Sequence, residues 1–356
     1  MLNSELLNEV VPPRIKDLLQ RKYKMKFVKK LGEGSFGEVY HILMNNEMNF
    51  ALKIFKLKNQ NSFEQKINEE IKYSLSLKSK YVIMGLKSDK IIFENQKYNM
   101  LFMEKAKFRD LSLFIYNYIN YNFLDIRNKN KYFPWLNNFS ENTIKFFAYQ
   151  IIQVFKFLDN NLIIHFDIKP SNLLLADNFN IKLTDFSTSR QITNKQKYII
   201  LPRGTYNYMA PEFYNEKREI LFKEAFTVDY FAFGCILYEM ISKEDLIKEV
   251  KDENGKIIKA KKNDIENFIE KGLLKLCKFN YSNMLKELVS NLINIIPNKR
   301  PNIKELLDNK WVNHDFHIIN KIKLINFGQN LKIFIELQKS PFIQKITKKR
   351  KKYIIE

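Results

Sequence analysis

Along this 356-residue chain the spacing of apolar residues is mostly strand-like early and helical late, and that division limits what it can fold into. From Tyr23 to about Lys105, the runs YKMKFVKKL, GEVYHIL, MNFALKIFKL, IIFEN and YNMLFME alternate apolar and polar side chains, the period-two signature of half-buried strands. One stretch within them differs. Phe63, Ile67, Ile71 and Leu75 recur at helical spacing, which predicts a helix from about Ser62 to Lys78 packed on the sheet. Beyond Asp110 helical patterns dominate, as in TIKFFAYQIIQVFKFL and DYFAFGCILYEMI. Strands gathered early and helices gathered late predict an α+β chain with a small β-rich lobe, about 23–105, and a larger helical lobe, about 106–316.

The remaining segments carry less information. Residues 1–22 read as a polar, partly helical lead-in punctuated by Pro12 and Pro13, the Asn- and Tyr-rich stretch 116–138 as an inserted loop, and 317–356 as a basic tail. A chain of this length can bury two cores, and 45% hydrophobic with 14% aromatic residues argues against a disordered protein. Two cysteines, Cys235 and Cys277, argue against a disulfide framework or a cysteine-held metal and make a reducing, cytoplasmic setting the default. Glutamates interrupt the first apolar residues, and no uninterrupted apolar run is long enough for membrane insertion, so neither a secretory leader nor a span is expected. The net charge of +21 invites a polyanion partner. Only nine of the 60 basic residues are arginine, however, while Asn and Ile abound and Gly and Pro number nine each, the profile of AT-rich coding DNA. With no nucleic-acid-binding module present, such a partner is disfavoured. The run KKRKK at 348–352 reads as solvated tail, with nuclear import as the alternative.

Chemistry is concentrated in four short stretches. GEGSFGEV, residues 32–39, places three glycines in a strand pair, where the backbone can approach a triphosphate and donate amides to it; a bulged hairpin gives the same string. Lys53 in FALKIF sits on an apolar strand that would exclude a cation unless it is paired. Glu70 on the following helix is the first candidate partner, and Glu69 the second. HFDIKPSN, 165–172, puts Asp167, Lys169 and Asn172 on one short loop, and TDFSTSR adds Asp185. One carboxylate can orient a hydroxyl while another carboxylate and an amide hold divalent metal.

In this order, the motifs make the chain resemble the eukaryotic-type protein kinases over about residues 23–316, which implies a two-lobed kinase fold. The resemblance implies ATP and Mg²⁺ as cofactors and a protein as substrate. By it, Gly32, Gly34 and Gly37 would cover the phosphates, with Ser35 and Phe36 beside them; Val39 and Ala51 would flank adenine, with Leu174 and Asp110 also in contact. Lys53, paired with Glu70, would hold the α- and β-phosphates. Met103 would take the gatekeeper place, and the backbone of Glu104 and Ala106 would face adenine. Asp167 would be the catalytic base, Lys169 a γ-phosphate contact, and Asn172 and Asp185 the metal ligands. Asp229 and Gly234 would mark the central helix, Arg300 would pair with Glu212, and LLDNKWV would be the closing helix. Lys169 in DIKPSN and Thr205 in GTYNYMAPE are similar to serine/threonine kinases.

Three positions depart from that pattern. Phe166 stands where an arginine is usual before the catalytic Asp, Ser187 replaces the glycine of Asp-Phe-Gly, and SKEDLIKEV replaces an apolar-Pro-Pro-Phe stretch. None of them removes a group facing the phosphate. Ser187 is expected to resist φ > 0. Between Thr193 and Thr205 the only hydroxyl belongs to Tyr198, and the missing arginine is the family's usual partner for an added phosphate. The expectation is an active kinase whose activation segment is held by apolar packing of Tyr198, Ile199, Ile200 and Leu201, with Phe166 packed into the larger lobe.

Overall fold

The structure, a computed structural model, describes residues 11–313 apart from positions 35, 45–46, 57–60, 121–138, 194, 203, 254–256 and 259. Ser35, most of the expected insertion and the basic tail therefore lie outside the described residues.

Helix α1 (Pro13–Tyr23) opens with Pro13, whose missing N–H costs nothing in a first turn, and ends at Lys24 in the left-handed region, φ 49°. Strands β1 (Met25–Gly34), β2 (Gly37–Met44) and β3 (Met48–Lys56) follow, then helix α2 (Asn61–Ser76) and strands β4 (Gly85–Phe93) and β5 (Gln96–Glu104). They form one antiparallel sheet in the order β1-β2-β3-β5-β4. Alternation gives this sheet two apolar faces. On one, Phe55, Leu101 and Ile67 of α2 share a cluster. On the other, Val11, Ile15 and Leu19 are wholly buried against Ile42, Leu52 and Met100. The supposed lead-in is thus, over residues 11–23, the second cover of the sheet; at ~1.5–3 kcal/mol for each fully buried aliphatic side chain, that cover is a sizeable share of the lobe's core.

The helical part begins with α3 (Leu111–Asn120), so the first five residues of the expected insertion are helical. Helix α4 (Glu141–Asn160) starts where Ser140 Oγ accepts the Thr143 amide at 3.2 Å. Short strands come next: β6 (Ile163–Ile164), β7 (Leu173–Leu175), β8 (Ile181–Leu183), β9 (Arg190–Gln191), β10 (Tyr198–Ile200) and β11 (Glu219–Leu221), paired as β6-β9, β7-β8 and β10-β11. Helix α5 (Thr227–Ser242) is buried at every position. Gly234 lets it approach helix α7 (Asn283–Leu292), since a Cβ there would lie 2.8 Å from Leu292 Cβ. The segment Phe222–Ser242 is long and apolar enough to cross a membrane, but 94% of it is buried, as a core helix requires. Helices α6 (Lys262–Leu276) and α8 (Ile303–Leu307) complete this unit, and Lys310–Asn313 forms a short helix of its own.

Candidate active site

Strand β3 carries Lys53 into the space between sheet and α2, where its ammonium pairs with Glu70 and lies 3.6 Å from Asp185 Oδ1. Helix phase decides between the two candidate acids. Glu70 is buried, whereas Glu69 is half-buried and meets Gln65 at 3.2 Å in an exposed hydrogen bond. Burial alone would lower the lysine's pKa, but the Asp185 and Glu70 carboxylates more than offset it and keep the ammonium charged.

The loop between β6 and β7 gathers the second set. Asp167 Oδ1 accepts the Thr205 amide at 3.0 Å and its hydroxyl at 2.6 Å; Oδ2 lies 2.7 Å from Lys169 Nζ and 3.1 Å from Asn172 Nδ2. Lys169 also donates to Thr205 Oγ1 at 2.6 Å, closing the network. Asn172 is brought to Asp185 by the pairing of β7 with β8, and its carbonyl accepts the Thr184 amide at 3.0 Å. Asp185 has φ 66°, a left-handed backbone that costs a non-glycine residue energy and turns the carboxylate toward Lys53. Burial would raise its pKa; Lys53, a Ser187 hydrogen bond, Lys169 and His165 prevail and hold it down at about 2. Ser187 carries no strain, because the positive φ falls on Asp185.

Phe186 is buried between His165, 5.2 Å from its ring centroid and edge-on, and Tyr73 of α2 at 6.2 Å. An apolar slot joins the two lobes above this point. Leu31, Val39, Ala51, Met103, Ala106 and Leu174 share one cluster, and Ala51 and Met103 are direct cross-strand partners. The Glu104 amide donates to the Met84 carbonyl at 3.0 Å, and its carboxylate is held by Lys182 at 2.7 Å. Asp110 caps α3, Oδ1 accepting the Leu113 amide at 3.1 Å. Phe36 tilts against Phe63 of α2 at 4.9 Å.

Residues 25–312 match the protein kinase domain family. The chain belongs to that family. It is 28% identical to the carbon catabolite-derepressing protein kinase of Candida glabrata over 82% of its own length and 42% of the relative's. Against the serine/threonine-protein kinase polo of Drosophila melanogaster the identity is 26%, over 84% of this chain and 46% of the relative. Mitogen-activated protein kinase kinase kinase 5 of Homo sapiens matches at 28% over 65% of this chain and 15% of its own. The chain thus spans less than half the length of these relatives.

Within this kinase domain, Phe166 is buried and adopts φ 63°. Its amide and that of His165 donate to Asp229 at 2.9 and 2.8 Å, and its ring meets Phe213 edge-on at 6.4 Å. The activation segment departs from the expected apolar packing. Ile199 and Leu201 are buried, whereas Tyr198 and Ile200 are 49% and 60% exposed, because strand alternation sends neighbours to opposite faces. Backbone pairing supplies the rest: β10 runs antiparallel to β11, with the Leu201 amide on the Arg218 carbonyl at 2.8 Å and the Phe222 amide on the Lys197 carbonyl at 3.0 Å. Arg190 donates to the Ile200 carbonyl at 2.9 Å. In place of the missing proline-rich stretch, Leu246 and Ile247 are buried and Asp245 accepts from Asn207 at 2.9 Å.

Two contributors escaped the sequence reading: Tyr73 accepts the Gln191 amide at 2.9 Å, and Glu38 is a wholly buried carboxylate. Asp229, expected only as a mark of the central helix, also holds the backbone of the loop that bears Asp167. A helical wheel places Tyr73 on the Glu70 side of α2, but what lies opposite is a tertiary fact.

Proposed function

We propose that the chain is a serine/threonine protein kinase that transfers the γ-phosphoryl group of ATP and needs no phosphate on its activation segment. The observation that carries this is the joint assembly of Lys53, Glu70 and Asp185 with the closed network of Asp167, Lys169, Asn172 and Thr205. In phosphoryl transfer a protein mainly positions groups and neutralises charge, and these residues are the ones suited to it. Asp167 would orient the acceptor hydroxyl, Lys169 would meet the moving phosphate, and Lys53 would hold the nucleotide.

The donor set fits ATP and Mg²⁺. Asp185 Oδ1 is buried without a hydrogen-bond partner, and a Cβ at Gly32 or Gly34 would meet nothing within 4 Å, leaving room for phosphate oxygens. Asp185 with Asn172 is an oxygen set of the kind magnesium accepts when phosphates and water complete its shell. Bound there, Mg²⁺–ATP would supply the phosphoryl group and the charge neutralisation; the slot of Val39, Ala51, Met103 and Leu174 would take the base.

Independence from segment phosphorylation is supported by the β10–β11 pairing, by buried Ile199 and Leu201, and by Phe166, whose buried ring packs against Phe213 where an arginine is usual. The test treats purified protein with phosphatase, verifies by mass spectrometry that residues 185–212 carry no phosphate, and measures transfer to serine and threonine peptides with Mg²⁺. Transfer should persist. Activity that disappears and returns only on rephosphorylation of the segment would overturn the second half of the reading, and no transfer at all from either form would overturn the first.

A further inference from the structure

Glu38 follows the last glycine of the glycine-rich hairpin and is wholly shielded from solvent. Strand alternation sends its side chain to the outer face of the sheet, while Val39 beside it enters the apolar slot on the inner face. A carboxylate out of water is tolerated only where donors replace the water. Three do so here: Tyr40 Oη at 2.7 Å, the Val11 amide at 3.0 Å, and the Lys30 ammonium. Lys30 also reaches Glu33 at 2.8 Å, and Glu33 is the register partner of Glu38, so one ammonium spans both arms of the hairpin. Gly37 leaves no slack on the third side, since a Cβ there would lie 2.0 Å from the Ile54 carbonyl. Any shift of Glu38 is therefore passed to Gly37 and Val39.

We propose that Glu38 is a positioning residue for the glycine-rich hairpin and that residues 11–23, outside the matched kinase domain, set the hairpin's height over the nucleotide through the Val11 amide. Helix α1 makes this connection stiff. Ile15 and Leu19 are wholly buried on the outer face of the sheet, so Val11 reaches Glu38 from a fixed base rather than from a loose arm. The inference rests on ATP being the phosphoryl donor, and the test separates the two ideas.

The experiment uses the full chain with Val11→Pro, Glu38→Gln and, as a control on the same helix, Ile15→Val. Proline at 11 replaces the N–H by a ring carbon, so it cannot donate to Glu38, and keeps an apolar side chain at a position that Pro12 already biases to extended backbone. Glutamine keeps the shape of Glu38 but loses the charge that three donors share. Both variants should raise the KM for ATP about three- to tenfold, as the loss of one hydrogen bond to a charged group would, with kcat within about twofold. Amides 34–37 should exchange with deuterium faster in both. Ile15→Val should lower Tm while leaving KM and loop exchange at their wild-type values. Wild-type KM and wild-type loop exchange in Val11→Pro would overturn the proposal, as would an equal KM rise in Ile15→Val. Should Glu38→Gln fail to fold, Val11→Pro decides alone. If the wild type transferred no phosphate from ATP, the functional reading would fail, and the exchange measurement would still decide the coupling.

Discussion

Asp229 on helix α5 accepts the backbone amide of Phe166 at 2.9 Å, so the loop that bears Asp167 hangs from a carboxylate buried in the larger lobe. Burial raises the pKa of Asp229 from the usual 3.8 to about 7; the His165 and Phe166 amides oppose the rise, and Asp167 adds to it. The folded state therefore holds this proton more tightly than the unfolded chain does. The stability it contributes is full below about pH 4 and is lost as pH rises toward 7. Asp229→Asn, which cannot titrate, should be less stable than wild type at low pH, and the gap in Tm should narrow between pH 4 and 7. A gap that widens over this range would reverse the sign.

Glu212 and Arg300 meet fork to fork at 2.7 and 2.8 Å, both buried, and Arg300 also donates to the Thr227 carbonyl at 3.2 Å. Breaking such a pair from one side leaves an uncompensated charge and costs about 3–5 kcal/mol. Arg300→Met should lose that much in urea unfolding. Arg300→Met with Glu212→Leu should lose less than the single change, because no orphan carboxylate remains.

Asp167→Asn keeps the shape of the loop residue and abolishes its charge. Turnover should fall on the order of 10²- to 10⁴-fold, the range for a positioned base, while nucleotide affinity stays near wild type. A variant as active as the parent would remove Asp167 from the role given to it.

Lys53→Met should cripple transfer, since it removes the cation shared by Glu70 and Asp185. Glu70→Gln should damage less, and Glu69→Gln should be silent, its carboxylate meeting only Gln65 in an exposed hydrogen bond away from Lys53. Paired kinetics of the three variants check the ranking.

Local pattern carried much of the fold. The five strands, α2 and α4 were legible from the periodic spacing of their apolar residues, and α5 from its continuous apolar run. The site motifs were legible for a different reason: glycines, a strand lysine and clustered acids are chosen by local chemistry, which sequence displays. What stayed hidden depends on who stands opposite. Glu38, Tyr40 and Ile42 share one face of β2, and only the cover provided by α1 turns Glu38 from a surface acid into a buried one. Tyr198 and Ile200 read as core from apolarity alone, but their strand has one buried side, taken by Ile199.

Tyr73 yields the last prediction. It lies one helical turn beyond Glu70, so the face of α2 that pairs with Lys53 also presents this phenol, which packs against Phe186 at 6.2 Å and accepts the Gln191 amide at 2.9 Å. Helix α2 is thereby tied to the start of the activation segment by a neutral hydrogen bond that requires no phosphate. Tyr73→Phe keeps the ring and removes only the acceptor. A neutral bond contributes ~0.5–1.5 kcal/mol, and Gln191 is exposed enough for water to replace part of it, so kcat/KM in phosphatase-treated protein should fall about two- to tenfold with Tm nearly unchanged. Deuterium exchange at the Gln191 amide should rise in the same variant, while the Asn172 amide, bonded to the Lys169 carbonyl at 3.0 Å, should keep its wild-type rate. Wild-type kcat/KM together with wild-type exchange at Gln191 would mean that the segment is held by β10–β11 pairing without help from α2.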